Sequence, residues 1–426
     1  METVNRRTVL GGAVAAAAGI VWGGTGWAAA APRPVPASPP DLIALRRDLH
    51  AHPEAPGQEA RTAAVVAGRL RAAGLAVTTD VGGHGVVAVL HGTRPGRTVA
   101  YRADMDAVPP QDIVGGGTAP AHLCGHDLHT TVAVGVAEAL ARQRHRHGLS
   151  GNVVFLFQPA EEALAGARAL LDAGVLERHG VEEIHALHCG PFPVGRFAVT
   201  PGYGLPGQDR GEIRLTGPDA PDAARRLAAD IAALATVTPP QTPAELERMV
   251  ADVQTPNGPL ARFVAVRARA EDATVRVSFR CWPQERYVEI REHIRRLAGA
   301  YAGASVTFPA APFPAMVCPE PEARALARHL RGALGRQAVT ELHAAFPFNG
   351  EDFALYLDRV PGTYTFLGVR TPGAPVTTAY PHYPGFTPDE RAIGTGVRAM
   401  TGWITERVAG GTGVTTVTGV AGGSCR

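Results

Sequence analysis

This sequence has almost no excess of one charge: its 426 residues carry 41 Lys and Arg against 39 Asp and Glu, a formal net charge of +2. That balance removes the chain-wide basic signal expected of a nucleic-acid binder. No internal repeat is visible, and no Gly-x-Gly-x-x-Gly or Walker-type loop stands between a strand and a helix signal, so a phosphate-cradling nucleotide site is not indicated. The apolar stretch near the N-terminus stops at about Val21 and is diluted by Gly19, Gly23, Gly24 and Gly26, which makes it short for a membrane span. Cysteines are few and odd in number, five, so at least one thiol stays outside any disulfide. What is there, 45% hydrophobic and 19% charged residues, fits a soluble globular chain long enough for two domains and a large core.

The first thirty residues read as an export signal. Asn5-Arg6-Arg7-Thr8-Val9-Leu10 precedes the short apolar stretch, and Ala28-Ala29-Ala30 supplies small residues for cleavage. The paired arginines resemble the twin-arginine type, which predicts an extracytoplasmic protein with no membrane attachment after cleavage. Export permits disulfides; Cys281 with Cys318 is one candidate pair, whereas Cys124 is assigned to a metal site.

From Asp41 to about Pro201 strand and helix signals alternate. Strands are predicted at Val86–His91, Arg97–Arg102, Asn152–Gln158 and Glu183–His188, and helices at Leu42–His52, Ala60–Ala73, Thr130–His145 and Leu164–Ala173. Alternation of this kind predicts an α/β fold with a mainly parallel sheet and a ligand site beyond the carboxyl ends of its strands. From Gln208 to Pro312 the rhythm changes to βαββαβ, the ferredoxin-like order, with a Pro-rich loop at Pro239–Asp252. The expected organisation is a signal at 1–30, a discontinuous catalytic domain at 41–207 and 313–408, an inserted domain at 208–312, and a flexible Gly/Thr/Val tail at 409–426.

Two adjacent acids carry most of the chemistry. Glu161 and Glu162 stand just past the apolar run Val153–Phe157, where their charge is costly unless a cation offsets it. On an extended chain their side chains point apart, which leaves one to bind metal and the other to face a water. Cys124 and His126, two residues apart before a helix, offer a thiolate and an imidazole to one ion. A nucleophilic Cys124 with His126 or His129 as base, or a plain helix start capped by Asp127, remain open on spacing alone. His188 ends the apolar stretch Ile184–His188, and His382 lies in Tyr380-Pro381-His382-Tyr383-Pro384. Asp104 and Asp106 follow the strand ending at Arg102, either capping a turn or orienting metal ligands. Glu351-Asp352 reads equally well as an acidic helix start.

Taken in order, seven segments make the chain resemble the M20 metallopeptidase and amidohydrolase family, in particular its aminoacylase-like, hippurate and indole-acetyl-amino-acid hydrolase branch. They are Arg46–Glu54, Arg102–Pro109, Cys124–His129, Phe157–Glu162, Leu187-His188, Gly350–Phe353 and His382–Pro384. The resemblance implies a zinc-peptidase-like catalytic domain with a lid or dimerisation insert. It implies two divalent metal ions, drawn from Zn, Mn, Co and Ni, held by Cys124, His126, Glu162, His188 and His382. It further implies Glu161 as general acid/base and Asp106 as an orienting carboxylate. The expected activity is cleavage of the amide of an N-acyl amino acid or a peptide-like small molecule. A carboxypeptidase or dipeptidase, or a catalytically weakened ligand-binding homologue, is the alternative; a homodimer through the insert is the assembly it suggests. One departure stands out: the family's Gly-Gly-His-Ala-Ala-x-Pro stretch is replaced by Leu215–Pro221, with no histidine between Gln208 and Glu292. The family's Asn-x-x-Pro stretch is replaced by Arg267–Ala273.

Overall fold

The computed structural model describes residues 35–410; the predicted export signal, and residues 411–426 of the predicted tail with Cys425, lie outside them. Helices α1 (Pro40–His50) and α2 (Ala60–Ala72) come first, then strands β1 (Ala76–Val81), β2 (Gly85–His91) and β3 (Arg94–Asp104). The long helix α3 (His126–His147) leads to β4 (Ser150–Gln158), and two short helices, α4 (Gly166–Asp172) and α5 (Val175–His179), lead to β5 (Glu183–Pro193). Short strands β6 (Phe197–Val199) and β7 (Gly204–Leu205) precede the insert. The insert comprises β8 (Asp209–Arg214), α6 (Ala220–Ala232), α7 (Pro243–Asp252), the hairpin β9 (Phe263–Glu271) and β10 (Thr274–Trp282), α8 (Tyr287–Ala298) and β11 (Ser305–Thr307). The chain returns through β12 (Met316–Val317), α9 (Glu320–Leu334), β13 (Val339–Glu341), α10 (Ala354–Leu357), β14 (Gly362–Arg370) and α11 (Arg391–Val408).

Eight strands make the central sheet in the order β1-β2-β4-β3-β5-β14-β6-β13. Its middle, β4-β3-β5-β14, is parallel throughout, and antiparallel neighbours enter only at β2 and at β6. Alternate residues of β4 go to opposite cores: Val153, Phe155 and Phe157 pack with α1, α2, α3, α9 and α11, whereas Val154 and Leu156 pack with α4, α5, α7 and α10. Burial on both faces explains why this strand reads as one apolar run instead of alternating. Each such Leu or Phe contributes roughly 1.5–3 kcal/mol relative to exposure. The insert behaves differently. Its four-stranded antiparallel sheet, β11-β8-β10-β9, has the βαββαβ order and buries one face only. Ile213, Val275, Val277, Phe279 and Cys281 pack under α6 and α8, and the alternate positions face away.

Several local expectations are corrected. Strand β1 was not legible, because its burial is only partial and its sequence is polar. Helix α3 starts at His126, not Thr130, so His126 and His129 share its first turn. Asp127 does not cap it. The residue before the helix is Gly125, at φ +85°, where a Cβ would lie 2.5 Å from Cys189 Sγ; Asp127 instead pairs with His50 and Arg46. Cys281 and Cys318 are both free and buried, one in the insert's core and one in the main core.

Candidate metal centre

Asp104 at the end of β3, Glu161 just past β4 and His188 midway along β5, which runs on to Pro193 instead of ending at His188 as expected, meet at one place, with His126 entering from the start of α3. Just after β4, Ala160 adopts φ +54°, and its N–H is held by the buried Glu59 carboxylate at 2.9 Å. The chain therefore turns instead of continuing extended. Both acids then face the same ring: Glu161 Oε2 lies 3.9 Å and Glu162 Oε1 3.8 Å from His126 Nε2. The expectation that they point apart fails for this reason.

The remaining sequence-predicted residues converge here. Cys124 Sγ is 3.4 Å from His188 Nε2, and His382 Nε2 is 3.3 Å from Glu162 Oε1. Ligand atoms of Cys124, His126 and His188 lie within 4.8 Å of one another, as do those of Cys124, Glu162 and His382, and those of His126, Glu161 and Glu162. The loop carrying His382 is stitched to the Cys124 segment, since His382 N–H donates to Leu123 O at 2.8 Å and Val114 N–H donates to His382 O at 2.9 Å. The far nitrogens of the rings are occupied, which aims the near ones inward. His126 Nδ1 meets Asp106 O at 2.8 Å, His188 Nδ1 meets Cys189 O at 2.9 Å, and His382 Nδ1 meets Asp112 O at 3.1 Å. Asp106 does two jobs, with one oxygen 3.2 Å from His126 Nδ1 and the other accepting from Glu162 N–H at 2.9 Å.

Behind this cluster lies a second, which the sequence did not reveal. Arg102 is buried and donates to Gln158 (3.0 Å), Asp104, Glu351 (2.9 Å) and Asp352 (2.8 Å). Glu351-Asp352 is thus no solvated helix start; α10 begins only at Ala354. His129, buried with both nitrogens unpartnered, stacks 4.9 Å from the His126 ring and approaches Asp104 at 3.7 Å. The sequence offered two separate hints, the charged run Arg102-Ala103-Asp104-Met105-Asp106 and the pair Glu351-Asp352, which patterning cannot connect across so long a separation.

The electrostatics call for cations. Burial raises Asp104 and Glu161 well above the usual carboxylate range, and neighbouring acids add to it; for Asp104, Arg102 opposes. Asp352 is pushed up to about 7, by burial first, against Arg102. His126 is held at about 10: burial opposes its charge, but Asp106, Asp104 and Glu162 outweigh that. Glu162 is drawn down to about 2 by His382 and His126 against its burial. Buried His126 Nε2 lacks a hydrogen-bond partner, and Glu162 Oε1 lies 3.3 Å from His382 Nε2 and 3.8 Å from His126 Nε2. These ligand atoms, set among a thiol, imidazoles and carboxylates, fit a borderline divalent ion.

Comparison with known proteins agrees with this chemistry. The model of peptidase family M20/M25/M40 matches residues 100–406. N-acetylcysteine deacetylase of Bacillus subtilis is 33% identical over 368 residues, spanning 83% of this chain and 93% of its own length. N-acetyldiaminopimelate deacetylase of the same organism is 31% identical over 386 residues, 85% of this chain and 98% of that one. Among solved structures, the Bacillus subtilis YXEP protein, described as a dinuclear metal binding peptidase from the M20 family, superposes with a TM-score of 0.64 at 29% identity, covering 86% of this chain and 98% of that one. The chain belongs to peptidase family M20/M25/M40.

Proposed function

We propose that this protein is an exported, metal-dependent amidohydrolase that cleaves the amide bond of N-acyl amino acids. One observation carries the reading: Cys124, His126, Glu162, His188 and His382 converge from four separate segments with Glu161 beside them. Two divalent ions held by those five side chains would supply Lewis acidity toward a water and toward the scissile carbonyl oxygen. The protein's own residues do the rest. Asp106 fixes the His126 ring through Nδ1 and fixes the Glu162 backbone, so both near-side donors are pre-aimed. Glu161 takes the proton of the attacking water as its oxygen bonds to the carbonyl carbon. Glu161 then gives that proton to the nitrogen as the C–N bond breaks, releasing a carboxylic acid and an amino acid. The deacetylases among the relatives support the substrate class, and the twin-arginine-like N-terminus supports export. The insert, residues 208–312, serves as the lid over the cleft.

The test is metal analysis of the purified protein together with hydrolysis of an N-acetyl amino acid panel, with and without chelator. Activity should vanish on chelation and return with a divalent cation. Glu161→Gln should lower kcat by roughly 10²–10⁴-fold while bound metal is retained. Chelator-resistant activity blocked by alkylating Cys124 would replace this reading with a cysteine hydrolase. Cleavage of unblocked dipeptides alone would replace it with a dipeptidase.

A further inference from the structure

The open face of the insert's sheet carries an arginine pattern that the hydrolase chemistry does not use. On β10, Arg276, Ser278 and Arg280 point away from α6 and α8. Ser278 sits opposite Arg267 on β9 and opposite Arg210 on β8, so Arg210, Arg267 and Arg280 share one face. Further along the same face Arg276 pairs with Glu212 and Glu271, and Arg214 with Glu212, while Arg269, opposite Arg276, forms no ion pair among the described residues. Arg210, Arg267 and Arg280 form no ion pair with a carboxylate among the described residues. The Arg210 guanidinium donates only to Gln208 Oε1 at 3.1 Å, and that of Arg280 only to Pro206 O at 3.2 Å.

Arg280 lies against the segment that carries Glu351, and the strand register sets Arg210 and Arg267 beside it on the same face. A Cβ added to Gly350 would lie 2.5 Å from an Arg280 nitrogen, so the guanidinium packs directly over the residue before Glu351. Trp282, on the same face, packs into the main core against Tyr203, which seats that end of β10 on the catalytic body. Burial and the neighbouring Arg210 and Arg267 lower Arg280 to about 10, while Glu161 acts on it in the opposite sense. Asp112, whose carbonyl holds His382, feels both Arg267 and Arg210. Three guanidinia thus share one sheet face beside the site, and none of them has a carboxylate within ion-pair distance among the described residues.

We propose that this cleft takes an amide substrate bearing at least two carboxylates. Arg280 holds the one nearest the scissile bond, and Arg267 with Arg210 holds the second. The inference rests on the amidohydrolase reading above and narrows its substrate class. A planar guanidinium offers bidentate donors to one carboxylate, so three unpaired arginines exceed what one monoanion can satisfy. The second carboxylate belongs either to an acidic amino-acid side chain or to a dicarboxylic acyl group.

The experiment compares the metal-loaded protein on N-acetylalanine, N-acetylaspartate, N-acetylglutamate and N-succinylalanine, in wild type, in the double variant Arg210→Gln/Arg267→Gln and in Arg276→Gln. At least one dianion should exceed N-acetylalanine in kcat/KM by roughly tenfold or more, and which one it is identifies the position of the second carboxylate. That ratio should collapse in the double variant, shrink with added salt, and persist in Arg276→Gln. Calorimetry with glutarate against butyrate gives an independent readout, with glutarate preferred by wild type and not by the double variant. If amides are hydrolysed with no dianion preference, or with one that survives the double substitution, the clamp is wrong and the hydrolase reading stands. If no amide is cleaved but glutarate preference is present and lost in the double variant, the hydrolase reading fails and the clamp stands.

Discussion

The body and the insert of this protein treat charge in opposite ways. In the body, Asp104, Glu351 and Asp352 are buried around a single guanidinium, Arg102, with Glu161 close by, and the surplus is negative. In the insert, arginines stand on an open sheet face, and those nearest the site lack acid partners. The difference follows from burial. A sheet covered on both faces can keep a charge only inside a saturated hydrogen-bond network, whereas a one-faced sheet leaves its outer residues in water. A negative pocket is suited to cations, and a positive face opposite it to anionic substrate.

Three changes would break or sharpen that contrast. The largest effect is expected at Arg102. Arg102→Met leaves Asp104, Glu351 and Asp352 without their common partner, and should cost about 3–5 kcal/mol of stability, read by denaturant unfolding. A shift under 1 kcal/mol would mean that the acids are already neutralised by other means.

Next in size is the coupling of protons to metal. His126 is raised to about 10 from 6.5, so in chelated protein its charge contributes stability that is fully present below pH 6.5 and lost as pH rises toward 10. His122 and His188, both lowered to about 4 chiefly by burial, act oppositely, but only below about pH 6.5. Between pH 7 and 9.5 the chelated protein should therefore lose melting temperature, and the gain on adding a divalent cation should grow over the same interval. Asp106→Asn weakens the aim of both His126 and Glu162, and should lower metal affinity by about 10–100-fold in a chelator competition. A pH-independent cation effect would argue against His126 as a ligand.

The smallest effect belongs to the exposed end of the insert. Arg276→Gln removes pairs with Glu212 and Glu271 that lie in water, and should leave the denaturant midpoint essentially unchanged. A larger loss would show that this face is covered by something in solution.

Much of the site was legible because its residues sit where regular patterns stop. The apolar run of β4 ends just before Glu161-Glu162, and charged residues after a buried strand have few bland explanations, whereas His188 interrupts β5, which stays buried to Phe192. What was not legible depends on single backbone angles and on distant partners. Ala160 at φ +54° turns two acids onto one imidazole, and nothing in Pro159-Ala160-Glu161 announces it. Gly125 moves the start of α3 to His126 and takes the capping position that Asp127 was expected to fill. Cys281 and Cys318 looked like partners only because they were two spare thiols; different cores separate them.

By itself, the sequence determined the alternation of strands and helices, the βαββαβ insert and the donor types at strand ends, since hydrophobic period and residue chemistry are local properties. Tertiary structure alone decided that Arg102 gathers acids from β3 and from the segment before α10, and that Arg280 of the insert packs against Gly350, next to Glu351. Those groupings depend on how distant segments pack, and packing is set by the summed burial of the whole chain, which no short window contains.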